Sequence, residues 1–251
     1  MGGRVVQHID DLGLRDSTYI SFSRDHGAMA GEQNQVLKRG MYEASAHVPL
    51  IIRGPDVRQG AVVDESVSLV DLYPTLMDMA GVNYQTLADR PGYAEALDGE
   101  SLMPQLTGNA PRLRAWAMAE YHGDRACTGT FMLREDRWKL IRHMGFASEL
   151  YDLGEDPEEQ RDLAGLQSDV VNRLEGLLDA HFDCAKIDER AKAYDRASFL
   201  RWRAFAQTEG FYEETMAHVF SGYDRQSIEE LQRWTDRDEA QIEAWLERTS
   251  N

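Results

Sequence analysis

A short β-prone run, Ser17 to Ser23, leads directly into Asp25-His26-Gly27, and a second apolar run, "HVPLIIRGP" over 47–55, closes on Gly54-Pro55. The stretch "SLVDLYPTLMDMAGV" over 68–82 follows, with helical periodicity and Gly81 at its end. Strand, loop, strand and helix in this order predict an α/β layer. They also place Asp25 and His26 at the carboxyl end of a strand, where ligands bind in open α/β sheets. Upstream, Val5, Val6, Ile9 and Leu12 share one face of a predicted helix that Gly13 stops.

Prolines and glycines punctuate residues 83–112 (Pro91, Gly92, Gly99, Pro104, Gly108, Pro111), which marks a boundary. Beyond it the period changes. "RAWAMAEY", "TFMLR" and "RWKLIRH" read as short strands of a small antiparallel sheet, with Glu135-Asp136 as the turn between the last two. "EDPEEQRDLA" reads as a helix start, with Asp156 as N-cap, Pro157 at the first position and Glu159 closing a capping box. Residues 168–182 continue as an amphipathic helix. The last sixty residues are predicted helical, with Ser227 and Glu230 as a further capping box before Leu231, Trp234, Ile242 and Trp245. Those apolar and aromatic side chains recur at helical spacing, as packing residues do. The division expected is 1–112, part of a catalytic α/β domain; 113–190, a small sheet-and-helix subdomain; and 191–251, a helical extension.

At 251 residues with 42% hydrophobic and 28% charged residues, the chain has the composition of a globular protein with a sizeable core. A formal charge of −17 argues against nucleic acid and anionic membrane surfaces as partners, since both call for basic patches. An acidic protein that handles an anionic substrate must reverse the field locally, with a metal ion or with clustered Lys, Arg and His. No run nears the roughly eighteen apolar residues of a membrane span. The opening "MGGRVVQHID" carries no charged-then-apolar signal pattern. Cys127 and Cys184 stand in no CxxC or Cys/His spacing and read either as incidental thiols or as one long-range pair.

Residues 24–50, "RDHGAMAGEQNQVLKRGMYEASAHVPL", hold the candidate chemistry. Asp25 and His26 offer an oxygen and a nitrogen to a divalent ion. Two donors are too few for Ca²⁺ or Zn²⁺, and an N-cap aspartate beside an incidental histidine is the structural alternative. Lys38 is either a solvated charge or an anion contact. His47 is either a hydrogen-bonded histidine at a strand entry or a pocket residue.

In order, however, the segment closely resembles the second active-site segment of the sulfatase family. Asp25-His26-Gly27, Gly31-Glu32, Lys38, Tyr42-Glu43 and His47-Val48-Pro49-Leu50 match the family pattern element by element. The likeness runs on through "SLVDLYPTLMDMAGV" and "MLREDRWKLI…ELYDLGEDPEEQRDLA", covering most of residues 4–165. "MYEASAHVPL", "AEYHG…TGTFMLR" and "SFLRWR" are most similar to the glucuronate-2-sulfatase branch.

The resemblance implies an alkaline-phosphatase-like α/β fold and a sulfuric ester hydrolase acting on a small-molecule or saccharide sulfate ester such as 2-sulfoglucuronate. It implies Asp25 and His26 as ligands of Ca²⁺, Lys38 on the sulfate and its bridging oxygen, and His47 and His122 as contacts to sulfate or a substrate carboxylate. Lys38 and His47 are thereby the candidate catalytic residues. Family members occur in lysosomal, secreted, periplasmic and cytoplasmic locations, so the compartment stays open.

The family's nucleophile is a formylglycine made within a Cys/Ser-x-Pro-x-Arg motif, and these 251 residues contain no such motif. Nor do they contain the paired aspartates that supply the remaining Ca²⁺ ligands in the family. The chain is therefore expected to be the C-terminal half of a longer enzyme and inactive without its N-terminal half. The alternatives are a choline-sulfatase-like enzyme, a phosphoester or phosphonate hydrolase of the same superfamily, and a non-catalytic remnant that binds Ca²⁺ and an anion.

Overall fold

The computed structural model describes residues 2–84, 97–108, 114–123, 126, 128–220 and 236–248. Cys127, Pro91, Gly92, Pro111 and the proposed Ser227–Glu230 capping box with Leu231 and Trp234 lie outside them. The chain divides into two compact units, Met1–Phe182 and Asp183–Asn251.

The first unit opens with helix α1 (Gly2–Asp11), then strand β1 (Ile20–Phe22). Two-residue strands β2 (Met29–Ala30) and β3 (Val36–Leu37) form a hairpin with Met29 opposite Leu37. The short helix α2 (Glu43–Ala46) follows. Strand β4 (Ile51–Arg53) then pairs antiparallel with β1, Ile20 opposite Arg53. The β-prone runs at 17–23 and 47–55 are thus strands over only their central residues. Phe22 and Ile51 on this pair are exposed, as are Val5 and Leu12 near the chain start.

Helix α3 (Leu72–Met79) begins through a single 3₁₀ turn at Leu69–Asp71, capped by a Ser68–Asp71 capping box, and ends at Gly81 with φ +67°. Asp71 is fully buried. Its carboxylate accepts from Ser68 N (2.8 Å), Glu100 N (2.9 Å) and the Arg114 guanidinium (2.8 Å), so it joins three separate stretches of chain. Helix α4 (Met103–Thr107) follows the 97–102 segment, where the Leu102 amide donates to Thr75 Oγ1.

The small sheet is a four-stranded antiparallel meander, β5 (Trp116–Tyr121), β6 (Thr130–Glu135), β7 (Trp138–His143) and β8 (Glu149–Asp152), in that order. The last β6–β7 pair is Glu135 with Trp138, so the turn is Asp136-Arg137 rather than Glu135-Asp136. Asp136 adopts φ +51°, a left-handed conformation that Asp tolerates better than Glu. Leu133, Leu140 and Leu150 line up across three strands, each fully buried. Helix α5 (Ser168–His181) packs against β7, and Arg142 bonds Asp179 at 2.5 Å. The opposite face carries Met132, Ile141 and Tyr151, which pack with Met41 just ahead of α2.

"EDPEEQRDLA" is not a helix start. Residues 155–164 form turns, and Glu159 takes φ +55° with its side chain buried. A buried lysine claims that carboxylate, which a capping box would have used locally.

The second unit is helical: α6 (Cys184–Glu209), α7 (Tyr212–Phe220) and α8 (Asp236–Arg248). Asp183 caps α6 by accepting from Lys186 N, and Gly210 ends it at φ +78°. Ala206, Tyr212, Met216, Ile242 and Leu246 form its core with Trp202 and Trp245 around them, so these aromatics pack as expected. Burial and the Glu239 carboxylate push the Tyr212 hydroxyl up to about 12. Among the described residues no helix is long and apolar enough to cross a membrane.

Replacing Asp71 by Ala leaves Arg114, itself only 12% exposed, without its carboxylate. Urea unfolding should report a loss of about 3–5 kcal/mol, as for other half-removed buried ion pairs; a loss below about 1 kcal/mol would contradict this account.

Candidate active site

Lys38 lies thirteen positions after Asp25, and the β2–β3 hairpin folds that distance back on itself. β2 starts three residues after His26 and β3 ends one residue before Lys38, so antiparallel pairing returns the lysine to the histidine. Lys38 Nζ lies 2.6 Å from His26 Nε2, and His26 Nε2 lies 3.2 Å from Asp25 Oδ2. His26 Nδ1 is 2.7 Å from the Gly27 carbonyl. A carbonyl only accepts, so Nδ1 carries the proton and Nε2 presents its lone pair. This is the tautomer a metal-ligating imidazole adopts when its other nitrogen is held by backbone. The Asp25 carboxylate, held below the ordinary range by the His26 amide, is ionised.

Lys38 thus stands where these two donors call for positive charge. Their donor type and tautomer suit a divalent cation, but their number does not complete a Ca²⁺ shell. Among the described residues no group of three or more His, Cys, Asp or Glu is arranged to hold a metal ion.

Gly27 fixes the pair against the next element. Its amide donates to Ser45 O at 2.7 Å, and a Cβ there would lie 2.1 Å from Ala44 O, inside the α2 backbone. Only glycine allows this approach. α2 in turn sets His47, whose Nδ1 lies 2.9 Å from Glu43 Oε2 one helical turn earlier. His122 follows β5, edge-on to Phe131 at 5.4 Å between centroids and 3.6 Å from Glu120. Both its ring nitrogens are buried without a hydrogen-bond partner among the described residues. His26 therefore touches both Asp25 and Lys38, while His47 and His122 are held through other partners.

Sequence reasoning assigned no role to Lys139 and read Glu159 as a cap. Lys139 is fully buried, 2.9 Å from Glu43 Oε1 and 2.8 Å from Glu159 Oε1. The signal was present: alternation along β7 puts Lys139 on the same face as Ile141, so a charge faces the core. Nearby, Glu149 accepts from Tyr42 (2.8 Å) and Tyr151 (2.7 Å). Burial and this carboxylate push the pKa of both tyrosine hydroxyls well above the ordinary value.

The family model described as N-sulphoglucosamine sulphohydrolase, C-terminal, matches residues 31–181. The chain belongs to the sulfatase family. This sulfatase chain is 38% identical over 210 residues to arylsulfatase K of Danio rerio, a match covering 81% of this chain and 38% of that protein. It thus spans well under half the length of that relative. Among solved structures it resembles a 2-O GAG sulfatase at 29% identity and TM-score 0.58, covering 69% of this chain and 38% of that one. It also resembles the phosphonate monoester hydrolase of Agrobacterium radiobacter at 31% identity and TM-score 0.58, covering 70% and 37%. The fold is alkaline-phosphatase-like α/β with a small antiparallel C-terminal sheet, as the resemblance implied.

Burial opposes ionisation of Glu43, but the charge and hydrogen bond of Lys139, with His47 and Arg134, outweigh it and hold its carboxyl below the ordinary 4.5. A depressed folded value contributes stability that is fully present above pH 4.5 and is lost as pH falls through the folded value. Urea midpoints from pH 7 to 3 should therefore fall more steeply at the acid end for the native sulfatase chain than for Glu43→Gln. Parallel curves would contradict the assignment.

Proposed function

We propose that this chain supplies the C-terminal half of a sulfuric ester hydrolase, including half of its Ca²⁺- and sulfate-binding site. The observation that carries the reading is the Lys38 ammonium on the proton-free Nε2 of His26, beside the ionised Asp25. Asp25 and His26 are the residues that would hold Ca²⁺. When bound, that ion neutralises sulfate charge and orients the ester.

Lys38 contacts the sulfate and its bridging oxygen and stabilises the negative charge that develops on the leaving oxygen. A lone pair serves one cation at a time, so with a metal ion held by His26 the Lys38 ammonium would be released to contact the sulfate. In a chain of net charge −17, this concentration of positive charge is what lets an anion settle. His47 and His122 contact the sulfate or a substrate carboxylate, and the ring nitrogens of His122, which make no hydrogen bond among the described residues, suit that role. The formylglycine nucleophile and the remaining ligands come from the N-terminal half. The likenesses to arylsulfatase K and to a 2-O GAG sulfatase support a sulfated sugar such as 2-sulfoglucuronate as substrate.

A second reading, a phosphoester or phosphonate hydrolase, draws on the likeness to the phosphonate monoester hydrolase. The nucleophile decides between them: a Thr or Ser outside a Cys/Ser-x-Pro-x-Arg motif favours phosphoryl chemistry.

In the enzyme completed by its nucleophile-bearing half, Lys38→Ala should lower kcat on the order of 10²-fold, as loss of an oxyanion donor does. The loss should be larger for poor leaving groups than for activated aryl sulfates, and the 251-residue chain alone should turn over neither, with or without Ca²⁺. A mild, equal effect on both substrates would return Lys38 to a surface charge. Metal-dependent turnover by the chain alone would overturn the half-site reading.

A further inference from the structure

We infer that Glu159, with its charge partner Lys139, is a positioning residue that anchors both arms of the candidate sulfate site: the Lys38 hairpin through Gln33, and the His47 turn through Glu43. The inference rests on the roles proposed above for Lys38 and His47. Three contacts converge on this residue and a fourth on its neighbour Glu158. Its Oε2 accepts from the Glu43 amide at 2.6 Å, and its Oε1 lies 2.8 Å from Lys139 Nζ as an ion pair. The main-chain carbonyls of Glu158, at 3.4 Å, and of Glu159 both accept from Gln33 Nε2.

Each contact meets a need that the local chain cannot meet. Glu43 opens α2, so its amide has no acceptor within the helix. Tyr42 at the N-cap provides no side-chain acceptor, and Glu159 supplies one from 116 residues away. With the amide fixed, the two oxygens of Glu43 divide their work: Oε1 meets Lys139 at 2.9 Å and Oε2 meets His47 Nδ1 at 2.9 Å. A carboxylate only accepts, so Nδ1 of His47 carries a proton and Glu43 fixes the orientation of the ring. Arg134, 3.6 Å from Glu43 Oε2, adds charge on the same side.

Gln33 lies in the β2–β3 turn, in a left-handed conformation with φ +50°, and Asn34 beside it has φ +54°. Such a turn holds one shape only where its surroundings fix it. Two-residue strands cannot do this alone, and Lys38 is carried at the end of the hairpin. Glu159 is itself at φ +55°, a conformation rare for glutamate, so the anchor keeps its own shape through the same contacts.

A purely structural Glu159 would only balance the Lys139 charge. The two roles separate in the full chain labelled uniformly with ¹⁵N, by amide exchange and by the His47 ring signals. Glu159→Ala should speed exchange at Gly31, Gln35, Glu43 and His47 by about tenfold, while Leu133 and Leu140 change by less than about threefold. The His47 ring should pass from the Nδ1–H tautomer to a mixture of both.

Glu159→Gln keeps a side-chain oxygen for the Glu43 amide, which Glu159→Ala does not, so it should restore the exchange pattern to within about threefold of the native one. Glu159→Ala that lowers Tm while leaving the exchange pattern and the His47 tautomer native would overturn the inference. Uniformly faster exchange through β6 and β7 would overturn it too.

If Glu159→Ala does not fold, Gln33→Ala tests the hairpin arm. It should speed exchange at Gly31 and Gln35 only, and no change there would refute that arm. His47→Gln in the completed sulfatase isolates the underlying reading: unchanged turnover would remove the substrate role of His47 and leave the positional result standing.

Discussion

A lysine ammonium with no solvent contact organises the first unit of this chain. Lys139 sits on the face of the small sheet that meets α2, and Glu43 and Glu159 approach it from two different segments. A buried ion pair is weak evidence of net stability, because desolvation offsets most of the attraction. Its force lies in what it forbids. An unpaired ammonium in that position costs several kcal/mol, so arrangements that move either carboxylate away are excluded. Met41 and Tyr42 then pack where α2 must lie, on Met132, Ile141 and Tyr151.

The geometry of the candidate site follows from that placement. α2 presses on Gly27 so closely that no side chain fits, which holds Asp25 and His26 at the end of β1. The β2–β3 hairpin returns Lys38 to His26, and the Gly27 carbonyl fixes which imidazole nitrogen is bare. The candidate residues flank two-residue strands and a four-residue helix, elements too short to hold position by themselves. The small sheet behind them supplies the rigidity. The boundary expected at residue 112 falls between residues that are in contact, Glu43 on one side and Lys139 and Glu159 on the other.

Much of this was legible. Hydrophobic alternation located three of the meander's four strands, the apolar stripe at 168–182 located α5, and the strand ahead of Asp25-His26-Gly27 drew attention to that pair as candidate donors. The turn at 135–136 was misplaced by one residue because alternation sets the strands' faces and leaves the loop residues open, and Asp136 proved the better left-handed residue. Glu159 was misread for a deeper reason. Pro157 with an acidic residue two positions on is a sound local signal for a helix start. Lys139, twenty residues earlier, outbid it, because a buried charge needs its counterion more than a solvated turn needs a cap. Such competition between local and distant partners has no signature in a single window. Lys139 itself did have one, a charge in phase with Ile141.

The central claim is that Asp25, His26 and Lys38, held on the small sheet through Glu43, form half of a cation- and sulfate-binding site. A crystal structure of the completed enzyme with Ca²⁺ and sulfate tests it most directly. The account predicts density for the cation on Asp25 and His26, the Lys38 ammonium moved from His26 to a sulfate oxygen, and the Glu43–Lys139–Glu159 cluster unchanged. A cation and sulfate bound away from these residues, with Lys38 still on His26, would contradict it.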